Sequence, residues 1–147
     1  MNKLELEFRR ELVEKMGGTW TPTIHVENRL NPGVPDMSYV MTHLGCETGW
    51  LELKAYRLAS DKRVSIKVER GQHEWMAAHA YRVPAHFLIS IGEWCYLLHG
   101  RHHRRLAETL RLENDFVPLA MSMFHRSDIR ATLPAALIAN TNRRRND

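Results

Sequence analysis

The sequence predicts an α/β layer: a mixed central β-sheet flanked by helices. Three observations predict it. The chain opens on apolar residues at every fourth position. Short apolar runs then alternate with turn signals and with segments of helical composition. Its 147 residues suit one hydrophobic core.

Each element has its own warrant. Leu4, Phe8, Leu12 and Met16 form one apolar stripe, so 4–16 is expected as a helix, stopped by Gly17-Gly18. Residues 23–28, Thr-Ile-His-Val-Glu-Asn, are expected as a short strand before the turn signal Asn31-Pro32-Gly33. Residues 35–43 and 49–56 are expected as two arms of a hairpin around Gly45-Cys46-Glu47-Thr48-Gly49. The polar, basic stretch 57–63 reads as a loop. Residues 72–82 have helical composition and stop before Val83-Pro84. The apolar runs Ala85–Ile91 and Trp94–His99, split by Gly92-Glu93, read as a second hairpin. Helices are expected over 102–113 and 127–140, with Ser127 as a candidate N-cap and Pro134 as a kink or a new start. The end, with Arg143-Arg144-Arg145, is expected to fray. The division expected is a core over 1–100, a helical C-terminal extension over 101–141 and a basic tail over 142–147.

Composition narrows the function classes. A hydrophobic fraction of 44% excludes a disordered chain, and no apolar run reaches the roughly 20 residues of a membrane span. The acidic N-terminus has no signal-peptide core, so the expected compartment is the cytoplasm, or the host-cell cytoplasm for a viral chain. Cys46 and Cys95 have no metal or redox spacing and are expected as free thiols. Residues 1–98 hold 12 Lys+Arg against 12 Asp+Glu, whereas 99–147 hold 9 Arg against 5 acidic residues. A basic end on a balanced body suits phosphate binding and also suits a solvated surface.

The chemistry centres on Pro35-Asp36 at a strand start and Glu52-Leu53-Lys54 within a later strand. Side chains alternate along a strand, so Glu52 and Lys54 share one face while Leu51, Leu53 and Ala55 take the other. A hairpin register that brings Asp36 alongside makes two carboxylates and an ammonium converge. Ionised carboxylates at that range repel, and a hard divalent cation such as Mg²⁺ or Mn²⁺ relieves them. Metal, carboxylates and lysine together suit phosphodiester hydrolysis. A cross-face ion pair and a Pro-Asp turn are the plain structural alternatives.

The segments Val26-Glu27-Asn28, Gly33-Val34-Pro35-Asp36, Gly49-Trp50-Leu51-Glu52-Leu53-Lys54 and Gln72-His73-Glu74-Trp75 together resemble the PD-(D/E)XK nuclease superfamily. More narrowly they resemble VRR-NUC-type phage nucleases and archaeal-type Holliday junction resolvases. The resemblance spans about residues 4–99 and implies a restriction-endonuclease-like core. It implies that Asp36 and Glu52 ligate metal, with the Leu53 carbonyl beside them, and that Lys54 is the catalytic lysine. It also implies that Gln72 stands near the site, where it reads equally as a polar residue at a helix start. A further acid is implied and could be Glu5, Glu7, Glu11 or Glu27. Glu5 falls on the inward side of the first helix; Glu27 is favoured because its segment precedes Gly-Val-Pro-Asp in the phage proteins.

Arg57, Lys62, Arg63, Lys67 and Arg70 follow the catalytic strand and suit a grip on the DNA backbone, or a solvated loop. Arg101-His102-His103-Arg104-Arg105 is a second basic patch, and adjacent histidines on a helix do not share a face for metal binding. His73-Glu74 through His79 misses the zincin spacing. Trp75 and Phe87 are expected in the core, and Trp94, Cys95 and Tyr96 are expected to alternate between core and surface. The function expected is a Mg²⁺-dependent (or Mn²⁺-dependent) deoxyribonuclease with DNA as partner, branched DNA or a Holliday junction as the implied substrate, and a homodimer compatible with a two-fold junction. A catalytically silent DNA-binding or assembly module on the same fold is the alternative. An enzyme acting on a small acidic substrate fits the metal site but not the basic loop.

Overall fold

A computed structural model of the chain describes residues 2–25, 33–41 and 47–146, with side chains through residue 139. Helix α1 spans Lys3–Lys15. It starts at a capping box: Asn2 Oδ1 accepts the Glu5 N–H at 2.8 Å, and Glu5 Oε2 accepts the Asn2 N–H at 3.4 Å. Phe8, Leu12 and Met16 bury its expected stripe.

Strand β1 is Trp20–Ile24, ahead of the 23–28 expected. Trp20 stacks on Tyr39 with ring centroids 5.5 Å apart, and this aromatic anchor sets the earlier start. Residues 26–28, with Glu27, lie outside the described residues, as does Cys46. Strands β2, Met37–Met41, and β3, Thr48–Tyr56, form the expected antiparallel pair with Met37 opposite Leu51. The two-residue strand β4 is Arg63–Val64, and helix α2 is Arg70–His79. Strand β5, Ala85–Ile91, returns parallel to β3, so β3, α2 and β5 make one crossover unit. Strand β6, Trp94–His99, closes the second hairpin at Gly92, whose φ of 59° is the left-handed conformation a tight turn needs.

The last third departs from the expected helix over 102–113. A 3₁₀ turn at Gly100–His102 leads into α3, one turn at His103–Leu106. Strand β7, Leu110–Arg111, then pairs with β4, and a π-helical turn follows at Leu112–Phe116. Leu106 and Leu110 keep a helix-like spacing of four, but both are anchored in the core, and the pairing with β4 overrides local propensity. Strand β8, Ser122–His125, adds to the edge of the main sheet against β6. Helix α4, Ile129–Asn146, runs through Pro134 without ending. A 3₁₀ turn at Arg126–Asp128 precedes it, and His125 caps that turn through the Ser127 N–H, the place expected for a Ser127 cap. The segment expected as a helical extension therefore also supplies a strand to the sheet.

The six-stranded sheet runs β1-β2-β3-β5-β6-β8 and is antiparallel except at β3–β5. One face packs Leu51, Leu53 and Ala55 against α1 and against Ile129, Leu133 and Leu137 of α4. The other packs Phe87 and Ile89 against Met76 of α2 and against Leu106 and Phe116. Because both faces are covered, every residue of β5 is buried. For the same reason Cys95 and Tyr96 are both buried, where alternation was expected; Trp94, at the strand start, is exposed.

Candidate active site

The polar residues of β3 point to the face that carries α2. Glu52 is 2% exposed and Lys54 6%. The β2–β3 register puts Asp36, one residue before β2, next to Glu52. The Asp36 N–H donates to Glu52 Oε2 at 3.2 Å, and the Leu53 N–H donates to Asp36 Oδ2 at 2.8 Å. That second bond is open to Asp36 because β2 begins only at Met37, opposite Leu51, which leaves Leu53 without a strand neighbour on that edge. A strand residue directs its N–H and C=O to the same neighbour, so the Leu53 carbonyl faces the Asp36 edge as well.

Gln72 joins the second element to the first. Glu69 caps α2, and its N–H donates to Gln72 Oε1 at 3.0 Å. The Gln72 Nε2 group donates to Glu52 Oε1 at 2.6 Å, and Lys54 Nζ donates to Gln72 Oε1 at 3.1 Å. Lys54 Nζ is also 3.4 Å from Glu52 Oε1. The loop before Asp36 is seated on the same helix start. Gly33 has φ 80°, and a Cβ there would collide with the Gly71 backbone.

These groups wall a cavity of about 610 Å³, closed on another side by Asn2, Glu5, Leu6 and Arg9 from the start of α1. Burial raises the Asp36 carboxyl, while the Leu53 N–H and the Lys54 charge act against the rise. Glu52 is pushed up to about 8, first by burial and then by the Asp36 charge, with Lys54 opposing. Two hard-oxygen carboxyls that disfavour each other's ionisation, with a backbone carbonyl at the same edge, fit a divalent cation of the Mg²⁺ type.

The candidates for the further acid separate. Glu5 lines the cavity, but its carboxylate is engaged in the capping box. Among the described residues no group of three or more His, Cys, Asp or Glu is placed to hold a metal ion. Glu7 lies 3.9 Å from Lys3 on the surface, and Glu11 is paired with Lys15 at 2.6 Å and with Arg126. Glu27 lies outside the described residues.

Of the five basic residues expected at the mouth, Lys67 lines the cavity, with its Nζ 3.8 Å from Glu69. Arg57, Lys62 and Arg63 are exposed away from the wall, and Arg70 pairs with Glu74 at 3.0 Å. The wall also holds residues not expected from the sequence, among them Arg9, His25 and Tyr56. Tyr56 shares the face of Glu52 and Lys54 by strand alternation, and Arg9 lies one helical turn past Glu5; both signals were in the sequence. His25 Nε2 is 2.9 Å from Ser38 Oγ, and its ring stacks on Trp50 at 5.1 Å. Phe87 is fully buried as expected, whereas Trp75 is half-buried and tilted against Trp50 at 5.4 Å. In the second basic patch Arg105 pairs with Glu108, and His103 reaches His73 with Nδ1 atoms 2.8 Å apart.

No protein-family model and no curated protein sequence matches the chain. The structure does match the 1.6 Å structure of Hjc, a Holliday junction resolvase from the archaeal hyperthermophile Archaeoglobus fulgidus. The TM-score is 0.54 at 12% identity, with 85% of this chain and 98% of that chain covered. At such identity the likeness is one of fold alone: a mixed central sheet flanked by helices. The covered share exceeds what residues 4–99 amount to, so the shared fold reaches into the last third.

Proposed function

We propose that this chain is a metal-dependent deoxyribonuclease that hydrolyses phosphodiester bonds in branched DNA. The observation that carries the reading is the meeting of Asp36, just ahead of β2, with Glu52 and Lys54 of β3, two carboxyls and an ammonium on the wall of one open cavity. In this reading Asp36, Glu52 and the Leu53 carbonyl would hold Mg²⁺ or Mn²⁺. The bound ion supplies Lewis acidity and lowers the pKa of a bound water.

The chain's own groups do the rest. Gln72 fixes the rotamers of Glu52 and Lys54 at once, so acid and ammonium present a set geometry to the phosphate. Lys54 Nζ orients the attacking water or stabilises charge on the phosphoryl oxygens. Arg9 and Lys67, both on the cavity wall, supply positive charge to the scissile strand. The branched substrate is supported by the fold shared with a protein described as a Holliday junction resolvase. The phage-type placement near VRR-NUC nucleases rests on the motif resemblance. A two-fold junction favours a homodimer, and a DNA substrate accords with the cytoplasmic placement expected. Among the described residues no helix is long and apolar enough to cross a membrane.

Cleavage of a labelled four-way junction, in Mg²⁺ and in EDTA, tests the proposal. Wild type should cut in Mg²⁺ alone, and Asp36→Ala and Glu52→Ala should each lose about 10³-fold in rate. Ca²⁺ should support binding and little cleavage. DNA binding without cleavage in any divalent metal would leave the silent binding module as the better reading.

A further inference from the structure

The two strands that the sequence concealed set two arginines against each other. Across the β4–β7 ribbon Arg63 stands directly opposite Arg111, while Val64 and Leu110 turn into the core beneath. Directly opposed side chains have Cβ atoms about 4.5–5.5 Å apart, and like charges so placed destabilise the pair. The neighbouring acids offset this on one side only, at Arg111. Asp115 Oδ2 lies 3.7 Å from Arg111 Nε but also accepts the Arg111 backbone N–H at 2.9 Å, which engages it in the π-helical turn. Asp61 accepts the Arg63 backbone N–H at 3.1 Å. Among the described residues no carboxylate forms an ion pair with the Arg63 guanidinium.

The same ribbon gathers further cationic and donor groups. The Leu112 N–H donates to the Lys62 carbonyl at 2.9 Å, which holds Lys62 beside the pair, exposed and at φ 54°. A second concavity, of about 510 Å³, is lined by Arg63, Thr109, Leu110, Arg111 and Asp115. It is close to the active-site cavity along the chain. Arg63 precedes Lys67, on the cavity wall, by four residues, at most about 14 Å of extended chain. One DNA strand advances about 3.4 Å per nucleotide, so the two lie within roughly four nucleotides of each other along a strand.

We infer that the β4–β7 ribbon is a phosphate clamp on the DNA backbone, in which Arg63 and Arg111 straddle phosphates of the duplex arm a few nucleotides from the bond cut. Lys62 and the Thr109 hydroxyl flank the clamp. The inference rests on the deoxyribonuclease reading and adds a second, sequence-independent grip remote from the carboxylates. It accounts for an opposed cationic pair that the fold by itself disfavours.

Fluorescence anisotropy on a labelled duplex and a four-way junction tests it, with Ca²⁺ present so that binding is read without turnover. The double variant Arg63→Ser, Arg111→Ser should bind at least about ten-fold more weakly, and its slope of log K against log salt should be shallower by about 1.8, near 0.9 per lost phosphate contact. Its melting temperature should hold or rise, because a like-charge pair is gone. The charge-keeping variant Arg63→Lys, Arg111→Lys should retain most of the salt slope. Wild-type affinity and slope in the serine variant, or equal loss of slope in the lysine variant, overturns the clamp. Absence of DNA binding by wild type itself removes the deoxyribonuclease reading, and the clamp with it.

Discussion

The two faces of β3 are built from adjacent residues and do opposite things. Leu51, Leu53 and Ala55 lie against α1 and α4, buried among apolar neighbours. Glu52 and Lys54, interleaved with them, are as well hidden from water but lie against polar groups of α2 and the Asp36 loop. Burial is therefore not what separates scaffold from site in this strand. Satisfaction is: the apolar face gains from leaving water, whereas the polar face is left with two carboxyls pushed toward their neutral forms. A face that costs stability when empty is one that a ligand can stabilise.

The comparison can be broken most severely from the apolar side. Leu53→Ala should destabilise the protein by about 2–5 kcal/mol, through lost burial and the cavity left between β3 and α1. A urea melt reads this directly, and the loss should be the same with and without Mg²⁺. The polar face should behave in the reverse sense. Burial and the Asp36 charge push Glu52 from an ordinary 4.5 up to about 8 in the ion-free fold, so its contribution favours folding at low pH and is lost as pH rises through about 8. Ion-free wild type should thus weaken between roughly pH 4.5 and 8. Glu52→Gln, which cannot ionise, should be the more stable by about a few kcal/mol at pH 9, and saturating Mg²⁺ should close the gap by stabilising wild type alone. A Glu52→Gln protein less stable than ion-free wild type at that pH would contradict the reading of this face.

A smaller effect sharpens the roles within the polar face. Lys54→Ala should slow cleavage by about 10²-fold while leaving Mn²⁺ affinity equal or tighter, since a cation beside the carboxylates has been removed. Single-turnover rates and a metal titration separate the two. Metal loss as large as in Asp36→Ala would assign Lys54 a different role.

How much of this was legible follows from how local each signal is. The period-2 pattern across Leu51 to Ala55 and the period-4 stripe of α1 are properties of single segments, and both appear as expected. Asp36 reaches Glu52 because a hairpin has few registers open to it once one face must be buried, so the sequence carried that meeting too. The ribbon was hidden. Strands of two residues have no period, and β7 is held by its partner β4, distant in sequence. Ser122–His125 is a strand because β6 offers an edge, with only Phe124 buried to mark it. Arg9 and Tyr56 were legible in their spacing, one helical turn past Glu5 and two residues past Lys54, whereas His25 reaches the wall through the pairing of β1 with β2, which no single segment encodes.

Asp36 and Glu52 are proposed to share one divalent ion. This sharing is tested most directly by titrating Mn²⁺ into the protein and following the free-ion signal by electron paramagnetic resonance. One bound ion per chain is expected in wild type, with loss of that binding in both Asp36→Asn and Glu52→Gln. Undiminished Mn²⁺ binding in either variant, or none in wild type, would contradict it.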